Sequence, residues 1–451
     1  MGTSNGVSTI KNLNIKIILR IDKYIILGLL IIGCQKEPME PIAPVQPCDC
    51  ELVVDVQIPS ATVCETDYLH WDIPFVDTAK KLNINLPRFG QFTLWSAFGN
   101  FNNNDESDYV IVTEGGTNIE NPPRGELVVV VDDVIVIAIP SPQLKTRKVV
   151  TEDLNQDGID DIILFGTGPD TAQSSGDIST VVYMYASGSY RVQEIGSISG
   201  YYHTGAYGVI NGDVEILEID SQAFSNDSNG YVNLLQSSGT SEVWTHSDSN
   251  ITTHHVARTY QSELYDFDKD GVLDLILGGA EWEEDWMESS LRPVQWRTHI
   301  LKGLGNGQFD VDNPIILPQI LNWGVITDFD IYDIDRDGNV EIIITRTTGR
   351  DGVQFELVDN EYYDGIKVQI LKGEGFNWYQ DQTLESPNII GLETFIWPHK
   401  STIYDVNGDC LLDIIPESDK LNAASFVDFN SVRGIYYEQQ DNGQFNLKYK
   451  N

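Results

Sequence analysis

Short apolar runs recur along the chain, each entered from a polar turn: "DYVIVT" at 108–113, "DIILFG" at 161–166, "DLILGG" at 274–279, "EIIITRT" at 341–347 and "DIIP" at 413–416. Runs of this length, rich in Ile, Val and Leu and bounded by Gly, Asn and Asp, read as β-strands. After each comes a longer connection and then a segment patterned as a hairpin: "TVVYMYASGSYRVQEI", "YVNLLQSSGTSEVW", "THILKGLGNGQF", "KVQILKGEGFNWY" and "GIYYEQQDNGQFNLKY". No long amphipathic period of 3.6 residues interrupts them. The pattern predicts an all-β chain.

The polar turns are alike. "DLNQDGIDD", "DFDKDGVLD", "DIDRDGNVE" and "DVNGDCLLD" each place oxygen side chains at positions 1, 3, 5 and 9: Asp153, Asn155, Asp157 and Asp161; Asp266, Asp268, Asp270 and Asp274; Asp333, Asp335, Asp337 and Glu341; Asp405, Asn407, Asp409 and Asp413. A weaker copy offers Asn100, Asn102, Asn104 and Asp108. Carboxylates this close repel unless a cation sits among them. Calcium takes six to eight oxygens, and a tight loop with ligands at alternate positions supplies them, position 7 giving its carbonyl. Gly158, Gly271 and Gly338 occupy position 6, where the turn calls for positive φ. An EF-hand would add a Glu at position 12 between helices, whereas here Leu275, Ile276, Leu277 and Gly278 follow directly. The reading is therefore of calcium loops between strands, up to five ions in all. Ligand charge ranks the Asp266 and Asp333 loops tightest. The Asn100 loop, with Asp105 where glycine is expected, ranks weakest, and Cys410 at position 6 predicts strain of about 1 kcal/mol if that residue is left-handed.

Loop starts at 100, 153, 266, 333 and 405 leave one interval of 113, twice the others' typical length, so a further copy is expected near residue 210. "AYGVINGDVEILEIDS" sits there, two strands about a turn at Asn211 and Gly212 without a metal loop. Four strands per unit of roughly 50–75 residues is the blade of a β-propeller, here of six or seven four-stranded blades with calcium loops. The D-x-[DN]-x-D-G-x-x-D turns before apolar strands, with the "GNGQF" and "DNGQF" hairpins, resemble the FG-GAP and VCBS repeats, the calcium-loop propellers found also in integrin α subunits. The resemblance covers 88–451, and 51–87 is expected to supply a closing strand or partial blade. Blade three, the asparagine-rich first loop and Cys410 depart from the repeat's pattern and bear on how many sites hold metal.

Charge and the N-terminus change the picture of location. Lys plus Arg number 28 against 68 Asp plus Glu, a net charge of −40. No Lys/Arg patch offers the counterion release that nucleic-acid binding uses, so no nucleic-acid partner is expected. Lys16, Arg20 and Lys23 precede an apolar run from Tyr24 to Gly33 and then Cys34. The run is too short to span a bilayer as a helix, which takes roughly twenty residues, and the order basic, apolar, small describes a secretory signal. "LIIGC" resembles the bacterial lipobox, which makes 1–33 a lipoprotein signal and Cys34 the lipidated residue. Pro38, Pro41, Pro44 and Pro47 then suit a polyproline stalk within 34–50, reaching about 40 Å. Lys36 and Glu37 faintly resemble the surface-export signal of Bacteroidetes lipoproteins. Together these imply a bacterial outer-membrane protein held by its lipid anchor alone, displayed at the surface or on the periplasmic face. Cys64 can pair with Cys48 or Cys50, and sequence does not choose.

In the repeat family the calcium loops lie on one face, and the connections between second and third strands emerge on the other. Two of these connections are long. One carries Trp282, Trp286 and Trp296, the other Arg346, Arg350, Tyr362 and Tyr363. Long loops on a rigid scaffold are where binding concentrates, and aromatic faces suit sugar rings, although the tryptophans could equally fill gaps between blades. The expected partner is a glycan or an extracellular protein. The competing class is a polysaccharide lyase or hydrolase. His203 beside Tyr201 and Tyr202 is its best acid–base candidate, but neighbours on a strand alternate faces, and no nucleophile-elbow, phosphate or zinc spacing is present.

Overall fold

The computed structural model describes residues 15–21 and 24–30 and, between 94 and 449, all except 105–107, 114–123, 133, 168–176, 197–201, 211–212, 221–231, 239–241, 252–258, 280, 282–296, 321–322, 348–365, 386–397, 406, 408 and 419–434. The chain divides into two compact units, Met1–Glu65 and Thr66–Asn451. In the first, Ile15–Ile21 and Tyr24–Leu30 pair antiparallel. Cys34, the proline run and 51–87 lie outside the described residues.

The second unit is a β-propeller of six four-stranded antiparallel sheets among the described residues. Blade one orders Leu94–Gly99, Asp108–Thr113, Glu126–Val131 and Val134–Pro140; blade two orders Thr146–Glu152, Asp161–Gly166, Thr180–Met184 and Tyr190–Glu194. Blade three, expected from spacing alone, is present as Tyr202–Ile210, Asp213–Asp220, Val232–Ser238 and Thr245–Asp248, with Ile210 opposite Asp213 across the turn. Blade four runs Thr259–Tyr265, Asp274–Gly279, His299–Leu301 and Ile315–Ile316. Here the expected hairpin is modified: Gly303–Gly305 pairs with Gln308–Phe309 across a break in register, and the outermost strand forms only after the following turn. Blade five comprises Val325–Tyr332, Glu341–Thr347, Lys367–Glu374 and Asn377–Glu385, and blade six Pro398–Tyr404, Asp413–Ser418, Ile435–Gln439 and Phe445–Tyr449.

The apolar runs are the second strands; those of blades one, two, four and five are buried along their whole length, and in blades two, four and five both faces meet a neighbouring blade. Side chains alternate across a strand. Ile162 and Leu164 thus pack towards blade one with Val110, Val112 and Trp95, whereas Ile163 and Phe165 pack towards blade three with Ile216 and Leu235. The same division gives a separate apolar core between blades three and four, four and five, and five and six. The first strands approach each other from blade one through blade six in sequence. Blade three's first strand comes so near that a Cβ on Gly205 would lie 2.0 Å from the Phe165 ring, which excludes a larger residue. The first strand of each blade therefore lines the centre, and the turn into the second strand lies at one end of it.

Candidate metal loops and the opposite face

Each loop is folded by its own carboxylates. Position 1 accepts the amide of position 6: Gly158 to Asp153 at 2.9 Å, Gly271 to Asp266 at 2.9 Å, Gly338 to Asp333 at 3.0 Å and Cys410 to Asp405 at 2.7 Å. Position 5 accepts the amide of position 7 in all four, at 2.8–3.0 Å. These bonds close the turn only if position 6 is left-handed, and φ is +89° at Gly158, +87° at Gly271 and +91° at Gly338. Cys410 adopts +68°, the strained geometry anticipated for it, and is disulfide-bonded. Position 4 is left-handed as well, at Asn103, Gln156, Lys269 and Arg336. Asn103 is a residue that visits this region readily, but nothing in Gln156, Lys269 or Arg336 signals it; there the loop's hydrogen bonds, and not the residue's preference, impose the angle.

The ninth residue ties the loop to the sheet. Asp274 accepts Phe267 N–H at 3.0 Å and Gly303 N–H at 2.7 Å, joining the loop to the third strand's end. Asp108 receives Phe101 and Asp132 in the same way, Asp161 receives Met184, Glu341 receives Ile334 and Asp413 receives Gln439. A carboxylate oxygen has two lone pairs, so this role leaves capacity for a cation. Burial pushes Asp161 up to about 8, Asp274 to about 6 and Glu341 to about 7, and the neighbouring loop carboxylates push in the same direction.

Two acidic clusters could hold a metal ion: Asp266, Asp268 and Asp274, and Asp333, Asp335 and Glu341, each with one carboxylate oxygen per residue within 4.8 Å of the others. The fit to a cation is supported by oxygens without a hydrogen-bond partner of normal geometry: Asp268 Oδ1, Asp333 Oδ1 and, in blade two, Oδ2 of the fully buried Asp161. Desolvated acceptors left unmatched are costly, and a hard cation with oxygen ligands matches them.

Four residues beside these loops carry no signal in the turn motif itself. Lys302, at the end of blade four's third strand, pairs with Asp268 and lies 3.0 Å from Asp270, and Lys372 lies 2.5 Å from Asp335 at the equivalent place in blade five. The two loops with the most acidic ligands are thus each partly neutralised by a lysine, which narrows the charge difference that ranked them. Blade six has Glu438 there instead, accepting from Asn407 at 3.0 Å. In blade one, the amide nitrogens of Asn102 and Asn104 donate to Asp132 at 3.1 and 2.8 Å. That loop is organised by amide-to-carboxylate bonds, and it is joined to blade two through Asn100 N–H to Asp160 and Asp160 N–H to Asn100 O, both 2.8 Å.

Of the residues expected on the opposite face, Trp282, Trp286, Trp296, Arg350, Tyr362 and Tyr363 lie outside the described residues. Arg346 does not project from that face. Its guanidinium is fully buried, 2.6 Å from Glu281 Oε2, with further bonds to Gln369 Oε1 at 2.7 Å and the Trp323 carbonyl at 3.0 Å. Glu281 follows blade four's second strand, so the pair fastens blade four to blade five. A buried arginine without a carboxylate is far costlier than one with it, which is why the residue turned inward once Glu281 was there to receive it. His203 leans on Tyr260, ring centroids 5.0 Å apart, whereas Tyr202 is fully buried.

No protein-family model matches the chain, and no curated protein matches it significantly. Among solved structures it is similar to a GH32 β-fructofuranosidase of Bombyx mori, at 13% identity and TM-score 0.36, covering 67% of each chain. It is similar also to a rhamnogalacturonan lyase of family PL11 from Bacillus licheniformis, at 14% identity and TM-score 0.29, covering 73% of this chain and 54% of the other. A GH43 arabinoxylan arabinofuranohydrolase of Bacillus subtilis, solved with cellotetraose, shows 10% identity and TM-score 0.29, covering 61% of this chain and 60% of the other. Likeness this distant leaves the fold assignment to the sheets themselves.

Proposed function

We propose that this chain is a calcium-stabilised propeller of the FG-GAP/VCBS type that binds an extracellular ligand, a glycan or a protein surface, on the face away from its metal loops. The observation that carries it is the same loop built four times, in blades two, four, five and six, with position 6 left-handed in every copy and buried, unmatched carboxylate oxygens in three of them. Oxygen-only ligands on a flexible turn suit calcium better than magnesium, which demands a stricter octahedron. The asparagine, aspartate and glutamate side chains of the loops, from Asp153 to Asp413, would hold the ions; calcium supplies the charge neutralisation that lets the turns stay compact. The lipid anchor at Cys34 and an outer-membrane location belong to the same proposal, as does ligand contact by Trp282, Trp286, Trp296, Arg350, Tyr362 and Tyr363.

Metal analysis of protein dialysed against submillimolar calcium should return bound calcium, and a chelator should lower the melting temperature. Binding to the folded state alone contributes about 2.7 kcal/mol per site at a hundredfold excess over Kd. Retention on an immobilised glycan with no new reducing or unsaturated ends marks a binder. Release of such ends would favour the second reading, an enzyme.

A further inference from the structure

In each blade that carries a loop, the third strand ends beside it, and register fixes which residue arrives there. Position 10 of the loop motif stands opposite Val182 in blade two, Leu301 in blade four, Leu371 in blade five and Tyr437 in blade six. The next residue is therefore Tyr183, Lys302, Lys372 and Glu438 in turn, and by the same register Val131 in blade one. Position 3 of the loop varies in step with it. Where position 3 is aspartate, at Asp268 and Asp335, the strand brings lysine; where it is asparagine, at Asn102, Asn155 and Asn407, the strand brings another residue.

The contacts give the reason. Lys302 Nζ pairs with Asp268 Oδ2 and lies 3.0 Å from Asp270 Oδ2, while the buried Oδ1 of Asp268 has no hydrogen-bond partner. Lys372 Nζ lies 2.5 Å from Asp335 Oδ2, and Asp335 Oδ1 accepts Asp337 N–H at 3.2 Å. Each lysine thus takes one oxygen of the position 3 carboxylate and leaves the other with capacity for a cation. Lys302 is also held from the neighbouring blade, its ammonium 5.5 Å from the centre of the Phe376 ring. In blade six the polarity is inverted: Asn407 donates to Glu438 Oε1 at 3.0 Å, and Lys448 lies 2.9 Å from Glu438 Oε2 and offsets its charge.

The charges come out level. Blades four and five set one lysine against four carboxylates at positions 1, 3, 5 and 9, whereas blades two and six have three carboxylates and an asparagine there, so each ligand set presents three net negative charges. Lys269 and Arg336, at position 4, are exposed, where water and salt screen them.

We propose that Lys302 and Lys372 set the calcium affinity of their loops: each cancels the charge that aspartate adds at position 3, so that the four loops hold calcium alike, and each supplies the counter-charge when calcium is withheld. The inference rests on the calcium reading of the loops and adds to it two residues outside the loop motif.

The test is calcium titration of the full chain against a chromophoric chelator, with melting curves in calcium and in excess chelator. Wild-type sites are expected to fall within about tenfold of one another. Lys302→Met keeps the apolar stem and removes the charge, so one site should tighten by about tenfold or more and weaken more steeply with added salt, and the melting temperature in chelator should fall. Lys302→Met combined with Asp268→Asn reproduces the ligand set of blade two and should return that site to the wild-type range. Calcium binding unchanged or weaker in Lys302→Met, tightening that persists in the double variant, or an unchanged melting temperature in chelator overturns the assignment while leaving the metal loops standing; no calcium bound by the wild type overturns both. If Lys302→Met does not fold, Lys372→Met with and without Asp335→Asn carries the same expectations in blade five, and the same outcomes overturn it.

Discussion

Replacing Arg346 by Met removes a cation from a place where its carboxylate partner cannot reach water. The Glu281 side chain is 4% exposed, and the Arg346 side chain 0%. In Arg346→Met, Glu281 retains Thr298 N–H at 3.1 Å and the Thr298 hydroxyl at 2.5 Å, two donors for a full negative charge. Leaving one member of a buried pair costs about 3–5 kcal/mol. In Glu281→Gln with Arg346→Met no buried charge remains. The residual cost is then the orphaned Gln369 oxygen and Trp323 carbonyl, about 1–3 kcal/mol, so the double variant should be more stable than Arg346→Met alone. Urea denaturation followed by tryptophan fluorescence reads that gain over Arg346→Met as about 2 kcal/mol, and Glu281→Gln alone completes the double-mutant cycle that tests for coupling. Additive single effects, or a loss below about 1 kcal/mol in Arg346→Met, would refute the claim that this pair fastens blade four to blade five.

Gly271→Ala should cost about 1–2 kcal/mol, because φ is +87° there and the space around it is open, so the penalty is of the backbone alone; loss of stability without loss of fold by circular dichroism is the check. Asp161→Asn should lower the melting temperature more in calcium than in chelator if its buried oxygen faces an ion, and equal effects in both would count against a metal in blade two. Glu218 is fully buried in blade three, and burial holds its carboxyl above the usual range despite bonds from Ser179 and Asn233. A carboxyl raised in the folded state binds more protons there than when unfolded, so stability falls as pH rises from about 4.5 through the folded value. Glu218→Gln should therefore stabilise the protein at pH 8 and not at pH 4, as read from melting curves at the two pH values.

The turn motifs, the strands behind them and the missing copy near 210 were legible in the chain because what forms them is local. Position 1 meets position 6 across five residues, and the left-handed site at Gly158, Gly271 and Gly338 has a residue suited to it. Apolar runs of six residues announce second strands because both faces of those strands are covered. The repeat interval does the rest, since one blade cannot bury its faces alone.

Other features depend on partners far along the chain, and no pattern announces them. Arg346 reads as a residue of a long loop, yet it meets Glu281, 65 positions away, and lies inside. Lys302 reaches Asp268 over 34 positions, and Lys148 reaches Glu263 over 115, across the intervening blade. Five first strands break register, at Arg147, His203, Tyr260, Thr327 and His399, and in the four blades with a loop that residue stands six places before the loop's first aspartate, a spacing sequence could have shown. That Arg147, His203 and Tyr260 line one cavity follows only from the first strands gathering at the centre of the propeller. Short-range hydrogen bonds and burial patterns determine the blades; the order in which blades abut decides which charges are neutralised and which side chains meet.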